Sequence, residues 1–218
     1  MPALEISFSE GDAAAPAPDG PVFYFDLASP EAYLAAERVL QVMPVATEWV
    51  PVLARELGAP GTFDAPRCAQ EAEARRASIS GLAATRRLQP VRWPDPFPAD
   101  TRTAMLAATF AKSIGRVVAF SLAAFRQAFA GGHDLGDEDV VLIAGSACEM
   151  HPAAILRAVG TRTTQAALAE ATALAAARGV REVPAVWVPE TSGGPGRVFH
   201  GDEGLERAAA AASAGGAA

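Results

Sequence analysis

Cys68 and Cys148 are the only cysteines in the chain. Neither belongs to a CxxC pair and no His/Cys spacing suits zinc, so neither a disulfide framework nor a metal site is supported. Both thiols stand among alanines on predicted helices, where small buried hydrophobes are expected. Basic charge is scarce as well: 18 Lys and Arg stand against 25 Asp and Glu, and the pI is near 5.0. That balance leaves no electrostatic footprint for nucleic acid or for an anionic membrane surface. A small molecule or another protein fits better as partner. No apolar run approaches the ~18 residues needed to span a bilayer. Before Gly20 there is no Lys or Arg, while Glu5, Glu10 and Asp12 are present, a pattern unlike a secretory signal. A cytoplasmic protein is expected. Internal repeats are missing too.

What is present begins after a low-complexity start. Met1–Gly20 mixes Leu4-Glu-Ile-Ser-Phe8 with the run Ala13-Ala-Ala-Pro-Ala-Pro18, and predicts a mobile tail whose first part is able to add an edge strand. The apolar and aromatic Val22–Leu27 then reads as a buried strand. Pro30 suits the first position of a helix, which makes Ser29 its N-cap, and Ala32, Ala36, Val39, Leu40 and Met43 continue at helical spacing. Such a turn offers free backbone N–H groups and the positive end of a helix dipole. Taken locally, Ser29 is either a cap alone or a cap that also faces an anion. Asp26, a carboxylate in an apolar strand, needs hydrogen-bonding partners and is read as structural.

Val45–Val52 alternates as a second strand, parallel to the first through the helix, with Val45, Thr47 and Trp49 on one side. From Leu53 to Gly179 the period becomes helical, over Arg67–Leu88, Thr101–Gly115, Val117–Gly131, Asp137–Met150, Pro152–Val159 and Thr161–Arg178. Met105, Ala108, Thr109 and the Lys112 stem, and Phe120, Ala124, Phe125 and Phe129, read as core stripes. Gln89–Pro98 holds four prolines in ten residues and predicts a stiff extended segment. Arg92, Trp93 and Phe97 on it either brace the fold or wall a pocket. Strands return at Val183–Val188 and Arg197–His200, joined by a Gly-rich turn without P-loop or dinucleotide-loop spacing. Gly204–Ala212 forms a last helix, and Ser213–Ala218 is expected to fray. His133, His151 and His200 are scattered and form no dyad or metal set; His200 alone lies near the strand ends.

The order β-α-β, helical insertion, β-β-α predicts an α/β fold: a thioredoxin-like four-stranded mixed sheet with a large all-helical insertion. Residues 21–52 and 180–212 form the thioredoxin-like part, 53–179 the insertion, and 1–20 and 213–218 the tails. Pro184 opens the third strand, where a cis bond fits, and is expected beside Ser29-Pro30. There the Val183 backbone is placed to pair with a peptide-like ligand as an added strand.

Ser29-Pro30-Glu31-Ala32 stands where DsbA-type thiol–disulfide oxidoreductases carry Cys-Pro-x-Cys, with both cysteines absent. Together with Phe23-Tyr-Phe-Asp-Leu-Ala-Ser-Pro-Glu-Ala-Tyr-Leu34, the motifs Pro90-Val-Arg-Trp-Pro94, Phe97-Pro98 and Gly179-Val-Arg-Glu-Val-Pro184 form an ordered set. That set resembles the 2-hydroxychromene-2-carboxylate isomerase branch, close kin of kappa-class glutathione transferases, over roughly residues 22 to 210. The resemblance implies a glutathione-dependent isomerase or transferase acting on a conjugated or aromatic small molecule, often as a homodimer. Ser29 would be the catalytic serine and Val183, before the cis Pro184, would hold the tripeptide. Asp202 or Glu203 would take its γ-glutamyl ammonium, and Pro30, Arg92, Trp93 and Phe97 would line the substrate pocket. The absent cysteines imply no dithiol chemistry. Against the family pattern, Glu31 replaces an aromatic residue and is expected to point outward. Glu182 and Ala185 flank Val183-Pro184, and Glu203-Gly204 replace Asp-Arg. These departures leave a second reading open, a non-catalytic thioredoxin-fold binding module that has lost glutathione.

Overall fold

The computed structural model of the protein describes residues 20–58, 68–190 and 193–215. Most of the expected tail, with its Leu4–Phe8 edge strand, lies outside them. The central strand β1, Val22–Phe25, is buried along its whole length. It pairs in parallel with β2, Glu48–Pro51, and antiparallel with β3, Ala185–Val188; β3 pairs antiparallel with β4, Arg197–His200. The sheet order β2-β1-β3-β4 is the mixed four-stranded layout that the order of elements predicts.

The period of two along β1 splits the core. Phe23 and Phe25 pack into one apolar cluster and Val22 and Tyr24 into the other. A central strand covered on both faces has no polar side to alternate with, which is why Val22–Phe25 is uniformly apolar. The helix α1, Pro30–Val42, connects β1 to β2. It is followed by α2 (Ala69–Thr85), α3 (Arg102–Ser113), α4 (Val117–Arg126), a π-helical turn at Gln127–Gly131, α5 (Glu138–Ser146), α6 (Pro152–Val159) and α7 (Arg162–Ala177). The helix α8, Gly204–Gly215, closes the chain and extends past the predicted Ala212 end. The predicted stripes are where they should be, since Met105, Ala108, Phe120, Ala124, Phe125 and Phe129 are all buried. Lys112 ends its stripe by pairing Nζ with Glu48 at 2.7 Å.

The start of the second strand and the burial of Cys68 differ from the sequence expectation. Val45 is 46% exposed and β2 begins only at Glu48, which pairs with Val22 at the start of β1. Cys68 is exposed at the N-cap position of α2 rather than buried; Cys148 is buried as expected.

One glycine on the β3–β4 connection has a packing reason. A Cβ at Gly196 would meet the Trp187 ring at 2.3 Å. That ring is pinned on its side by the Arg178 guanidinium, 4.3 Å from its centroid. Gly196→Ala is therefore expected to cost about 1–3 kcal/mol in a urea melt, because a buried indole has nowhere to retreat.

Candidate active site

The site is assembled at the carboxyl end of β1. Leaving the strand, the chain turns through Asp26–Ser29, with the Ser29 N–H donating to the Asp26 carbonyl at 3.0 Å. Asp26 organises that turn. Its carboxylate accepts from the Ala28 N–H at 2.9 Å, from the Ala54 N–H at 3.0 Å and from the Thr101 hydroxyl at 3.3 Å. Three segments far apart in sequence, the turn before α1, the short 3-10 turn Ala54–Glu56 and the start of α3, are thus tied to one buried carboxylate. Burial nevertheless raises the Asp26 carboxyl above its ordinary value, outweighing the three hydrogen bonds and the Arg55 charge that pull it down. A cavity of about 290 Å³ opens beside it, between Ala28, Leu53, Pro98 and Arg102.

Ser29 is the N-cap of α1: its Oγ accepts from the Ala32 N–H at 3.0 Å, and Pro30 occupies the first helical turn. The residue has no solvent-accessible surface. Its hydroxyl donates to Glu31 Oε2 at 3.2 Å, so Glu31 turns toward Ser29 and not outward as expected. The cause lies on α2, where Arg75 donates to Glu31 Oε1 from Nε at 3.1 Å and from Nη2 at 2.9 Å. A carboxylate at a helix N-terminus, paired with an arginine and accepting from a hydroxyl, is favourable there.

Across the sheet, Val183–Pro184 is a cis peptide bond immediately before β3. Tyr24 pairs with Ala185, so the antiparallel register carries Val183-Pro184 alongside Phe25-Asp26, where the turn to Ser29 begins. The Val183 side chain is buried and its backbone lies beyond the paired register. The Pro184 carbonyl is already taken by the Gly201 N–H at 2.9 Å.

The proline-rich segment forms no strand and bends at Asp95–Pro98 rather than running extended, and Asp95–Pro96 and Phe97–Pro98 are also cis. Trp93 and Phe97 meet edge to face at 4.9 Å, and both contact Phe129 of the π-helical turn. Phe129 in turn stacks on Tyr33, one turn along α1 from Ser29. Arg76 lies over the Trp93 ring, and the Arg92 N–H donates to the Phe129 carbonyl at 2.8 Å. The segment therefore braces α1 against α4 and α2, and the Arg92 side chain stays exposed.

Asp202 and Glu203 end up in different company. The Asp202 carboxylate is gripped by Arg86, whose Nη1 donates at 2.6 Å, and by Arg38, whose Nη1 donates at 3.3 Å. Arg38 also pairs with Glu206. Burial, and then the Arg38 charge, pull the Arg86 guanidinium below its ordinary value. Glu203 is exposed. Of the histidines, His200 accepts the Arg181 N–H on Nε2 at 3.1 Å, and burial lowers it below its ordinary value. His151 caps α6 through Nδ1. Among the described residues no group of His, Cys, Asp and Glu is placed to hold a metal ion, and no helix is long and apolar enough to cross a membrane.

Residues 22–212 match the model of the DSBA-like thioredoxin domain family. The chain belongs to that family. No curated protein matches the sequence. Among solved structures, the fold is similar to a 2-hydroxychromene-2-carboxylate isomerase, at a TM-score of 0.75 and 16% identity, covering 89% of this chain and 94% of the other. It is also similar to the cytosolic disulfide reductase DsbM of Pseudomonas aeruginosa, at a TM-score of 0.60 and 14% identity, covering 86% of this chain and 92% of that one. Both likenesses carry the family's fold. The Ser29-Pro30 turn follows β1, across the sheet from the cis Val183–Pro184 bond that precedes β3. Sequence reasoning expected Pro184 beside Ser29-Pro30, and the register of β1 and β3 brings these strand ends alongside each other. It missed Arg75, Arg38 and Arg86, which carry no motif and reach their partners only through packing of α2 and α1.

Proposed function

We propose that the chain is a cytoplasmic, glutathione-dependent enzyme of the isomerase or transferase type, acting on a conjugated or aromatic small molecule. The observation that carries this reading is the juxtaposition of a hydroxyl-capped helix N-terminus with a cis-proline backbone, with no cysteine at Ser29 or Ala32, the two cysteine positions of the Cys-Pro-x-Cys pattern. The Val183 backbone, outside the β3 register, is available to pair with an extended tripeptide. The N-terminus of α1 favours an anionic sulfur. Glutathione would supply the nucleophilic thiol; the turn at Ser29-Pro30 would orient it, and Trp93 and Phe97 would offer aromatic surface to the second substrate.

The fit is uneven along the tripeptide. The backbone end meets a suitable partner in Val183, whereas at the thiol end the Glu31 carboxylate already takes the Ser29 hydroxyl and opposes a second anion. At the γ-glutamyl end Asp202 is already neutralised by Arg38 and Arg86, so the ammonium contact falls to the exposed Glu203. That arginine pair is also the specific observation favouring the second reading, a thioredoxin-fold binding module without glutathione.

A thermal melt separates the two. Under the enzyme reading, millimolar glutathione raises the melting temperature, because a ligand at 100 times its Kd adds about 2.7 kcal/mol to the native state. An unmoved melting temperature leaves the binding module. Purified protein should show no dithiol-dependent disulfide reduction under either reading. Ser29→Ala should cost about 1 kcal/mol as a lost N-cap, measured by urea denaturation without ligand.

A further inference from the structure

We propose that the cavity beside Tyr33 is a second binding site, separate from the Ser29 turn, for a small aliphatic hydroxy acid with one carboxylate. The inference does not rest on the glutathione reading. The cavity, of about 520 Å³, has the size of a site for a small organic molecule and lies between α1, the chain leaving α2 and the π-helical turn. Tyr33, Glu37, Arg87, Gln89, Arg126 and Gln127 form its polar wall, and neither Ser29 nor Val183-Pro184 contributes to it.

Three features of this cavity cost the fold something and suit a ligand. Tyr33 is 2% exposed, yet among the described residues its hydroxyl has no hydrogen-bond partner. The phenol feels the charges of Glu37 and Arg126, which line the same cavity, so the hydroxyl is aimed into it. Burial, and then Glu37, raise the phenol above its ordinary value and outweigh Arg126, which leaves a protonated donor at neutral pH. Arg87 has φ 58° just past α2, where the Leu88 N–H closes the helix on the Ala83 carbonyl at 3.0 Å. Glycine ordinarily fills that left-handed position, and an arginine there is strained. Lastly, α4 runs into the π-helical turn Gln127–Gly131, a form found mostly at functional sites, and that turn supplies one wall.

The lining sets the ligand's chemistry. Glu37 is satisfied by Arg126, which donates from Nε and Nη2 at 2.7 Å each, so the exposed Arg87 is the cation left for an anion. Two arginines against one glutamate leave one positive charge, matched by one carboxylate. The Tyr33 O–H and the Gln89 and Gln127 amides suit hydroxyl groups. No aromatic face is open, because the Tyr33 ring stacks on Phe129 and the apolar lining is Leu88 and Ala130. The carbon chain is therefore aliphatic.

The test is calorimetric titration of the full chain with gluconate, glucose and acetate, with a ligand-free thermal melt of each variant. Gluconate should bind saturably. Glucose, which lacks the carboxylate, and acetate, which lacks the hydroxyls, should bind at least about tenfold more weakly. Tyr33→Phe removes one oxygen and keeps the ring on Phe129, so it should weaken gluconate about tenfold, the scale of one hydrogen bond. Arg87→Gly should weaken it on the order of 30-fold, the scale of a hydrogen bond to a charged group. The same variant should melt higher without ligand, because glycine takes the left-handed conformation at no steric cost. An arginine kept for the fold would move both readings downward. Absence of gluconate binding, or wild-type affinity in both variants, overturns the site. Glucose or acetate binding as tightly as gluconate overturns the hydroxy-acid class.

Discussion

Asp26→Ala is expected to lower folding stability by about 3–5 kcal/mol, because it leaves three buried donors without an acceptor. Those donors are the Ala28 and Ala54 N–H groups and the Thr101 hydroxyl, all bonded to one carboxylate. Urea denaturation at neutral pH measures the loss. The pH dependence carries a distinct signature. Burial raises the Asp26 carboxyl, so the native state holds this proton more tightly than the unfolded chain does. Between the ordinary carboxylate value and the raised native one, the native state binds more protons, and stability from this residue falls as pH rises. Asp26→Asn removes that slope and retains one acceptor oxygen, so it should cost less than alanine at neutral pH. An Asp26→Asn protein whose stability follows the wild-type pH curve would show that Asp26 does not titrate in this window.

The second large effect is expected at Phe125. Its ring lies 5.9 Å from Phe25 of β1, 6.2 Å from Tyr33 of α1 and 6.5 Å from Phe129, at the point where helices from the middle of the chain meet the sheet. Phe125→Ala should cost about 3–5 kcal/mol, combining lost transfer energy with an unfilled cavity. The more informative result is the shape of the melt. One apolar cluster contains Phe23 and Phe25 of the sheet together with Met105, Phe120 and Ala144 of the helices. Sheet and helices should therefore unfold in a single transition that moves as a whole in the variant. Two separated transitions, one of them unmoved, would contradict a shared core.

Seen from the site, these two residues do different work. Asp26 sets the path of the turn that delivers Ser29, whereas Phe125 keeps α1 seated on the sheet behind it. The aromatic chain from Trp93 through Phe129 to Tyr33 extends that support to the proline-rich segment. Placement of the turn thus depends on contacts from α1, α3, α4 and the Gln89–Pro98 segment.

Ser29, with Pro30 after it, was legible from sequence as the start of α1, because a cap and a proline at the first helical turn are local chemistry. So was the strand order, since an apolar run, an amphipathic helix and a closing hairpin follow one another in few residues. Val183-Pro184 was legible because proline has few places in a sheet. The direction of Glu31 was not. It is decided by Arg75, 44 positions away, and an ion pair between helices depends on which faces those helices turn to each other. The same holds for Asp202, which meets Arg38 and Arg86 only once α1, α2 and the β4–α8 turn are packed. The start of β2 at Glu48 was likewise set by the partner strand, which ends the pairing at Val22 although Val45 carries a strand-like side chain. Local patterns determined the elements and the place of the turn; long-range charge pairing, which has no period in sequence, decided which way the Glu31 carboxylate beside that turn points.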